Sequence, residues 1–431
     1  MPLSLSLCNA PLRSIPSNPR QCLQTIRTLA ESIAGNRPPS LLAAPIESLR
    51  RGDWVKLICG ASFEDAADVR NLSLVYTLAG VDCIDCAADA SVVNAVSDGI
   101  DAACRIASVR RPWVMISVND DRNDLHFRKA EFDPEDCPPD CSRPCEMVCP
   151  ANAILSKRTS EGVEIQHDSH AGGKLQGGVI TERCYGCGRC LPVCPYDRIR
   201  AMTYIRDPAT TSALLRRNDV DAIEIHTRGR STDLFKELWS SLSGSSGHLK
   251  LVAVSLPDAG ESTLAAMHLI YSIMKADLQC YNLWQLDGRP MSGDIGRGAT
   301  REAVAFAARI ASTQDRPHGF YQLAGGTNSH TIDSLKKLGL FQTMNNPAAQ
   351  FQKNTIVSPS PDSHALIGGI AYGGYARKIV GRVLSRIPSK HGHAHIEDHP
   401  ELLLDALKEA FTLVEPVKCH NQPMTQHQEK S

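Results

Sequence analysis

Eight short runs of apolar and β-branched residues recur along the chain, each separated from the next by a stretch of different character: WVKLICGA (54–61), VDCIDCA (81–87), PWVMISV (112–118), DAIEIHT (221–227), LKLVAVSLP (249–257), CYNLWQLDG (280–288), GFYQLAGG (319–326) and HALIGGIAYGG (364–374). They are near-continuously hydrophobic rather than strictly alternating, the pattern of strands buried on both faces, as parallel strands are. Helical periodicity fills the gaps. In ASFEDAADVRNLSLVYTLAG, Ser62 stands three before Asp65 as a capping-box-like start, Val69, Leu72, Val75 and Ala79 recur at helical spacing, and Gly80 is a stop signal. Leu264, Met267, Ile270 and Met274 form a second stripe and Ile379, Val383 and Ile387 a third, each predicting core contacts. Strand and helix in alternation predict an α/β fold. Eight such units close most economically into a (β/α)8-like barrel, which leaves no sheet edge exposed; an open doubly wound sheet is the alternative.

The rhythm breaks once. From Asn119 to about Asp207 some 90 residues separate the third run from the fourth, longer than any ordinary βα loop, so an inserted domain is expected there. The resulting division is a leader and linker at 1–46, barrel at 47–118, insert at 119–207, barrel and a C-terminal helix carrying Leu403, Leu407 and Phe411 at 208–412, and a polar, disordered tail at 413–431.

The insert holds eight of the sixteen cysteines. One run is Cys137-x3-Cys141-x3-Cys145-x3-Cys149-Pro150 and the other Cys184-x2-Cys187-x2-Cys190-x3-Cys194-Pro195, the spacing of bacterial two-cluster ferredoxins. Three thiolates from one tight loop can converge on three corners of a cuboidal cluster, and the fourth must come from elsewhere. In such proteins the fourth cysteine of each run ligates the other cluster. Two [4Fe-4S] clusters are therefore expected in a ferredoxin-like insert, one on Cys184, Cys187, Cys190 and Cys149, the other on Cys137, Cys141, Cys145 and Cys194. Proline after the last cysteine turns the chain away, and Gly186 and Gly188 allow close approach to sulfur. The alternative is a pair of four-thiolate zinc sites, although zinc motifs usually come as separate cysteine-pair knuckles. No Cys-x3-Cys-x2-Cys triplet of the kind that leaves one iron open occurs in the insert, so electron transfer or redox sensing is expected rather than substrate chemistry at a cluster. Of the other cysteines, Cys8, Cys22 and Cys419 fall in the terminal segments, and Cys59, Cys83, Cys86, Cys104 and Cys280 read as small core residues. Cys83 and Cys86 stand three apart, which in a strand means opposite faces.

Composition adds exclusions. Lys plus Arg (46) nearly cancels Asp plus Glu (47), so no global field draws in nucleic acid. No run approaches the length of a membrane span, and so many metal-spaced thiols require a reducing compartment. The first thirty residues lack Asp and Glu, carry Arg13, Arg20 and Arg27, and include Ser4, Ser6, Ser14 and Ser17. That is the composition of an organelle transit peptide, and it predicts the chloroplast stroma on the resemblance given below; a disordered tail on a protein of the bacterial cytoplasm is the alternative.

In a barrel, function belongs at the C-terminal ends of the strands. Gly325, Gly326, Thr327 and Asn328 after the seventh run and Gly373 and Gly374 after the eighth are candidates for a phosphate or flavin site, since glycine N–H groups and helix N-termini bind anions. Glu224, His226 and Arg228 share a face of the fourth strand, and Lys56, Asp82, Asp85 and Asp287 lie on or near others. They are candidates for an acid/base site or, equally, for a salt-bridged barrel interior.

The segment WVKLICGASFEDAADVRNLSLVYTLAGVDCIDCAAD, the two cysteine runs and LWQLDGRPMSGDIGRGAT together resemble the light-dependent period protein LdpA family of cyanobacteria and plastids, over roughly residues 47–387. The resemblance implies an iron–sulfur redox sensor or electron carrier that feeds light-dependent redox state to the circadian clock, with a redox partner protein and signalling proteins as partners. It implies a sensor more than an enzyme. A flavin-dependent oxidoreductase fed by the clusters and a zinc-stabilised binding scaffold are the competing expectations.

Overall fold

The structure is a computed structural model that describes residues 18–35, 45–121, 123–154, 175–176, 178–229, 231–288, 298–341, 365–388 and 395–420. Eight parallel strands form a closed barrel: β1 (Trp54–Gly60), β2 (Cys83–Ala87), β3 (Trp113–Asn119), β8 (Ala222–His226), β9 (Leu251–Leu256), β10 (Tyr281–Leu286), β11 (Phe320–Leu323) and β12 (Gly369–Tyr372). They neighbour one another in chain order, and β12 returns to β1 with Trp54 opposite Gly369 and Leu57 opposite Tyr372. Each of the eight predicted runs supplies one of these strands, and the open sheet is excluded. The connecting helices include α3 (Ala66–Ala79), α4 (Ala90–Ile106), α6 (Pro208–Leu215), α7 (Thr232–Leu242), α8 (Ser262–Met274), α9 (Ala299–Ser312), α10 (Thr331–Lys337) and α11 (Gly374–Leu384). Their starts follow from capping. Asp65 accepts from Asp68 N (3.1 Å) at α3, Asp89 from the N–H groups of Ser91 and Val92 at α4, and Asp207 from Thr210 N with Pro208 in the first turn of α6. At α3 the cap is therefore Asp65 and not Ser62, whose hydroxyl instead donates to the carbonyl of His126.

Alternation along each strand sorts the side chains into two populations. Residues such as Ile84, Cys86, Val114 and Ile116 face outward into the main core under the helices. Trp54, Cys83, Trp113, Met115, Ala222, Leu251, Ala253, Leu283 and Phe320 form a separate apolar cluster inside the barrel, floored by Ile46 and Leu49 of α2 (Ile46–Arg51). Cys83 and Cys86 accordingly lie on opposite faces. One step further toward the C-terminal ends the inward positions turn polar: Lys56, Asp85, Ser117, Glu224, Ser255, Gln285 and Gln322 are all buried.

Between β3 and α6 the chain leaves the barrel. The excursion contains an antiparallel pair of β4 (Arg128–Glu131) and β7 (Arg200–Thr203), the short helix α5 (Pro144–Val148), and the two-residue strands β5 (Leu175–Gln176) and β6 (Val179–Ile180). It has a small core of its own in Phe132, Cys145, Ala153, Ile154, Val179, Cys184, Cys190 and Ile199. It is fastened to the loop between β1 and α3: Lys129 and Arg206 both pair with Glu64 (2.8 and 2.6 Å), Arg183 with Asp65 (3.0 Å), and the Tyr204 hydroxyl donates to Ser62 (2.8 Å).

Both termini depart from expectation. Pro19–Gly35 is a helix, α1, with Cys22, Ile26 and Ala30 buried in the main core, so within the expected leader this stretch is part of the folded body; residues 1–17 lie outside the described residues. The C-terminal helix α12 (Pro400–Lys418) runs past the expected start of the tail at 413. The helix packs on α1, α3 and α11, and its Leu413, Val414 and Val417 are buried, which the polar residues around Pro416 do not suggest. Cys104, read as a core residue, is exposed. Among the described residues no helix is long and apolar enough to cross a membrane.

Truncation after Thr412 removes Leu413, Val414, Val417 and Lys418, whose ammonium pairs with buried Asp82. Burying one large apolar side chain is worth about 1.5–3 kcal/mol, so a loss of roughly 5 kcal/mol and a melting point lower by roughly 10 °C are expected by circular dichroism. A truncated chain that melts with the full-length protein would show that this last turn and a half adds nothing.

Candidate functional site

The two cysteine runs fold as near-copies of one another. In each, the last cysteine is followed by proline, three residues on a non-glycine residue takes a left-handed conformation (Asn152, φ 47; Asp197, φ 49), and the next N–H points back at the cysteine sulfur. Ala153 N lies 3.2 Å from Cys149 Sγ and Arg198 N 3.4 Å from Cys194 Sγ. A buried isoleucine, Ile154 or Ile199, closes each copy. Further N–H groups reach Cys184 Sγ from Ala130 (3.3 Å) and Cys141 Sγ from Arg143 (3.4 Å). Such donors favour a charged sulfur, whether thiolate or metal-bound.

Which thiols come together is visible in the cavity and the fields. Cys149, Cys184, Cys187 and Cys190 line one pocket, together with Arg128, Tyr185 and Leu191. Burial pushes the Cys190 thiol up to about 12, and Cys187, Cys184 and Cys149 add to the rise. In the other group burial raises Cys137, with Cys141 and Cys194 reinforcing it, and Cys194 also bears on Cys145. Each last cysteine thus sits with the trio of the opposite run. Gly186, at φ +70, cannot be replaced: a Cβ there would stand 2.3 Å from the Arg128 carbonyl. Arg128 is a residue that sequence reasoning missed. It is buried, donates from Nε to Gly186 O (2.8 Å) and carries its charge beside Cys187, Cys190 and Cys184. Its basic character is common to any strand edge, so nothing local distinguished it; the Cys-Pro-x-x-x-Ile repeat, in contrast, was there to be read.

Spacing bears on which metal the thiols suit. Among the described residues no three of the eight sulfurs lie within 4.8 Å of one another. Four thiolates on one zinc, at Zn–S of about 2.3 Å, would stand roughly 3.8 Å apart. The quartets are too open for a single ion, and the donor set fits a larger thiolate-bound group.

The polar end of the barrel forms a second constellation. The Lys56 ammonium contacts Glu224, lies 3.6 Å from Asp85 and from Met115 Sδ, and is wholly enclosed. Gln285 donates to Glu224 (2.8 Å), Ser255 and Asp287 (3.1 Å each), Gln322 donates to Gln285 (2.6 Å), and Ser117 to Asp85 (2.6 Å). Burial alone would lower the Lys56 ammonium, but Glu224 and Asp85 outweigh it and hold it above its ordinary value. Burial would likewise raise Glu224, yet Lys56 and His226 hold it down at about 2. Asp85 is pushed up to about 6 by burial in spite of Lys56. Lys56, Asp85, Glu224, His226 and Asp287 therefore converge, as a hydrogen-bonded interior with a protonated lysine that is no nucleophile. Two candidates do not join them. Asp82 lies at the opposite end, accepting from Ser48 Oγ and Val55 N (2.8 Å each) and pairing with Arg110 and Lys418. Arg228 reaches the carbonyl of Asn123 (3.2 Å).

The glycine-rich loops are engaged by their own neighbours. Gly325 exists for packing, since a Cβ would meet the Asp287 carbonyl at 1.8 Å. The Thr327 hydroxyl donates to Ala371 O (2.6 Å), Asn328 donates to Thr300 Oγ1 (2.9 Å) and accepts from His330 N (2.9 Å), and Thr300 Oγ1 donates to Gly326 O (2.5 Å). Gly373 caps α11, which begins at Gly374, with its carbonyl accepting from Arg377 N. The side chains of Thr327 and Asn328 are thus occupied within the fold.

Comparison with known proteins agrees with this geometry. Residues 137–205 match the family model described as the LdpA Fe-S cluster-binding domain, and residues 214–416 match that of the Light dependent period A C-terminal domain. The chain is 40% identical over 374 residues to "Light dependent period A" of Synechococcus elongatus, an alignment covering 87% of this chain and 94% of that relative.

Lys56→Met would leave Glu224 and Asp85 enclosed without their cation, an expected cost of about 3–5 kcal/mol in urea unfolding at neutral pH, most of it recovered by adding Glu224→Gln. The pH dependence should differ as well. In the wild type Glu224, held at about 2, contributes stability above its unfolded value near 4.5 that is lost as pH falls toward 2. In Lys56→Met, Glu224 keeps His226 beside it, but Asp85, already pushed up to about 6, loses the cation that lowers it and rises further above its unfolded value, so the variant should gain more stability than the wild type as pH falls from about 7 to about 5. Equal loss at both pH values would contradict this assignment.

Proposed function

The chain belongs to the light dependent period A family, and from that footing we propose that it is an iron–sulfur redox protein carrying two [4Fe-4S] clusters, a sensor or one-electron carrier rather than an enzyme. In this reading the clusters sit in a ferredoxin-like insert spanning about residues 119–207, one on Cys184, Cys187, Cys190 and Cys149, the other on Cys137, Cys141, Cys145 and Cys194. The observation that carries it is the exchange of last cysteines: Cys149 shares a cavity with the trio of the second run, and Cys194 lies beside the trio of the first. When bound, such clusters supply reversible one-electron chemistry.

The chain's own residues would set the terms of that chemistry. With two such clusters bound, the eight thiolates would hold all eight irons and leave no iron open to substrate. The N–H groups of Ala130, Arg143, Ala153 and Arg198 stabilise charge on sulfur and so bias the potential upward, as does the buried Arg128 guanidinium. Tyr185 stacks on Arg377 of α11 (4.5 Å from the ring centroid), whose guanidinium donates to the carbonyls of Ile58 and Cys59, so Arg377 links the Cys184 loop to the first barrel strand. That contact gives a change at the cysteine loops a route to the barrel. The name of the cyanobacterial relative favours a role in light-dependent timing, with a redox donor or acceptor and a signalling protein as partners. Zinc is disfavoured by the wide spacing of the sulfurs.

Anaerobically purified protein is expected to carry about eight irons and eight acid-labile sulfides per chain, as two fully ligated cubanes require. Pairing of ligands can be read by double substitution. Cys149→Ala with Cys184→Ala should lose about half the iron, both changes striking one cluster, whereas Cys149→Ala with Cys145→Ala should lose nearly all of it. The reverse pattern would overturn the exchange of last cysteines, and zinc without sulfide would overturn the iron–sulfur reading.

A further inference from the structure

Where the insert meets the mouth of the barrel, a third group of metal-ligating side chains comes together from two different parts of the chain. Asp124 and His126 stand at the very start of the insert, and His226 is the last residue of β8. One ligand atom from each lies within 4.8 Å of the other two, the one group of three His, Cys, Asp or Glu residues among those described to meet that spacing. Asp124 Oδ1 is 3.0 Å from His126 Nδ1, while Asp124 Oδ2 is 3.9 Å from His226 Nδ1, beyond hydrogen-bonding reach. The two imidazoles lie with centroids 5.0 Å apart and planes tilted by 53°, and Phe127 packs edge-on against His226.

Two further observations bear on what this group is for. Behind His226, Glu224 Oε1 lies 2.9 Å from the other nitrogen, Nε2, at ion-pair distance but without hydrogen-bond alignment, and Glu224 is in turn held by Lys56. A carboxylate behind the far nitrogen of a histidine is the outer-shell arrangement that orients metal-binding imidazoles. Around the group lie further buried carboxylates: Glu224 and Asp85 meet Lys56, and Asp120 and Asp287 lie close enough to Asp124 and His226 respectively to feel their charge.

We propose that Asp124, His126 and His226 bind one divalent first-row transition-metal ion, of the zinc or ferrous type, at the mouth of the barrel. Two imidazoles and one carboxylate are the nitrogen and oxygen donors such ions prefer over magnesium or calcium. Three protein ligands leave a coordination position for water or an oxygen donor entering the barrel. Because His226 belongs to the barrel while Asp124 and His126 belong to the insert, the ion would clamp the two together. Arg128, which touches the Cys184–Cys190 loop, is only two residues beyond His126.

The test uses full-length protein with its iron and sulfide measured in the same samples, so that the fate of the clusters is read separately. Protein given a slight excess of Zn2+ and then desalted should retain about one zinc per chain, and His126→Gln/His226→Gln should retain less than a tenth of that with iron unchanged. Equal zinc in the two proteins overturns the site. Should the double variant fail to fold, zinc-edge X-ray absorption of the wild type decides alone: a first shell of nitrogen and oxygen with scattering from two imidazoles supports the site. Sulfur in that shell, or one imidazole or none, overturns it.

Discussion

The polar end of the barrel depends on one enclosed ammonium. Closing eight parallel strands forces every second side chain of each strand into a single lumen, and with it Glu224 and Asp85, which water cannot reach. Lys56, reaching in from β1, is what allows them to remain ionised there. From that pair outward the network is continuous: Glu224 holds Gln285 and His226, Gln285 holds Ser255, Asp287 and Gln322, and Gln322 accepts the indole N–H of Trp54 at the top of the apolar layers (2.9 Å). A network of this kind is costly if half satisfied and specific if complete.

Directly above this network the insert is attached, and the attachment is electrostatic. Glu64 and Asp65, in the loop after β1, take Lys129, Arg206 and Arg183 from the insert, while the His126 and Tyr204 segments bond to Ser62. The same short loop that ends the Lys56 strand therefore carries the insert, so the cysteine loops, the barrel mouth and the charged lumen share one rigid support. Arg377 extends it from α11 by bridging Tyr185 to the β1 carbonyls.

Much of this was legible in the linear order of residues. Parallel strands buried on both faces must be nearly all apolar, so the eight runs declared themselves, and the length of the stretch after Asn119 marked where the chain leaves the barrel. The two cysteine runs and their Cys-Pro endings were legible as well, because only short turns can aim three thiols at one centre; that Cys149 shares a pocket with Cys184, Cys187 and Cys190 is what the fold adds. Other features were hidden for physical reasons. The helix of residues 19–35 has a local start in Asn18, whose Oδ1 accepts from Arg20 N (2.9 Å), and in Pro19, but the burial of its Cys22, Ile26 and Ala30 and its packing on α12 come only with the fold. Asp82 and Asp287, alike in sequence, lie at opposite ends of the barrel.

Periodicity and spacing, being properties of neighbouring residues, determined the (β/α) rhythm, the place where it is interrupted and the two cysteine runs. Tertiary structure decided which charged groups meet. Lys56 and Glu224 are 168 residues apart, and His126 and His226 lie on separate units. Nothing short-range couples such positions; only the closure of the barrel and the seating of the insert bring them within a few ångströms.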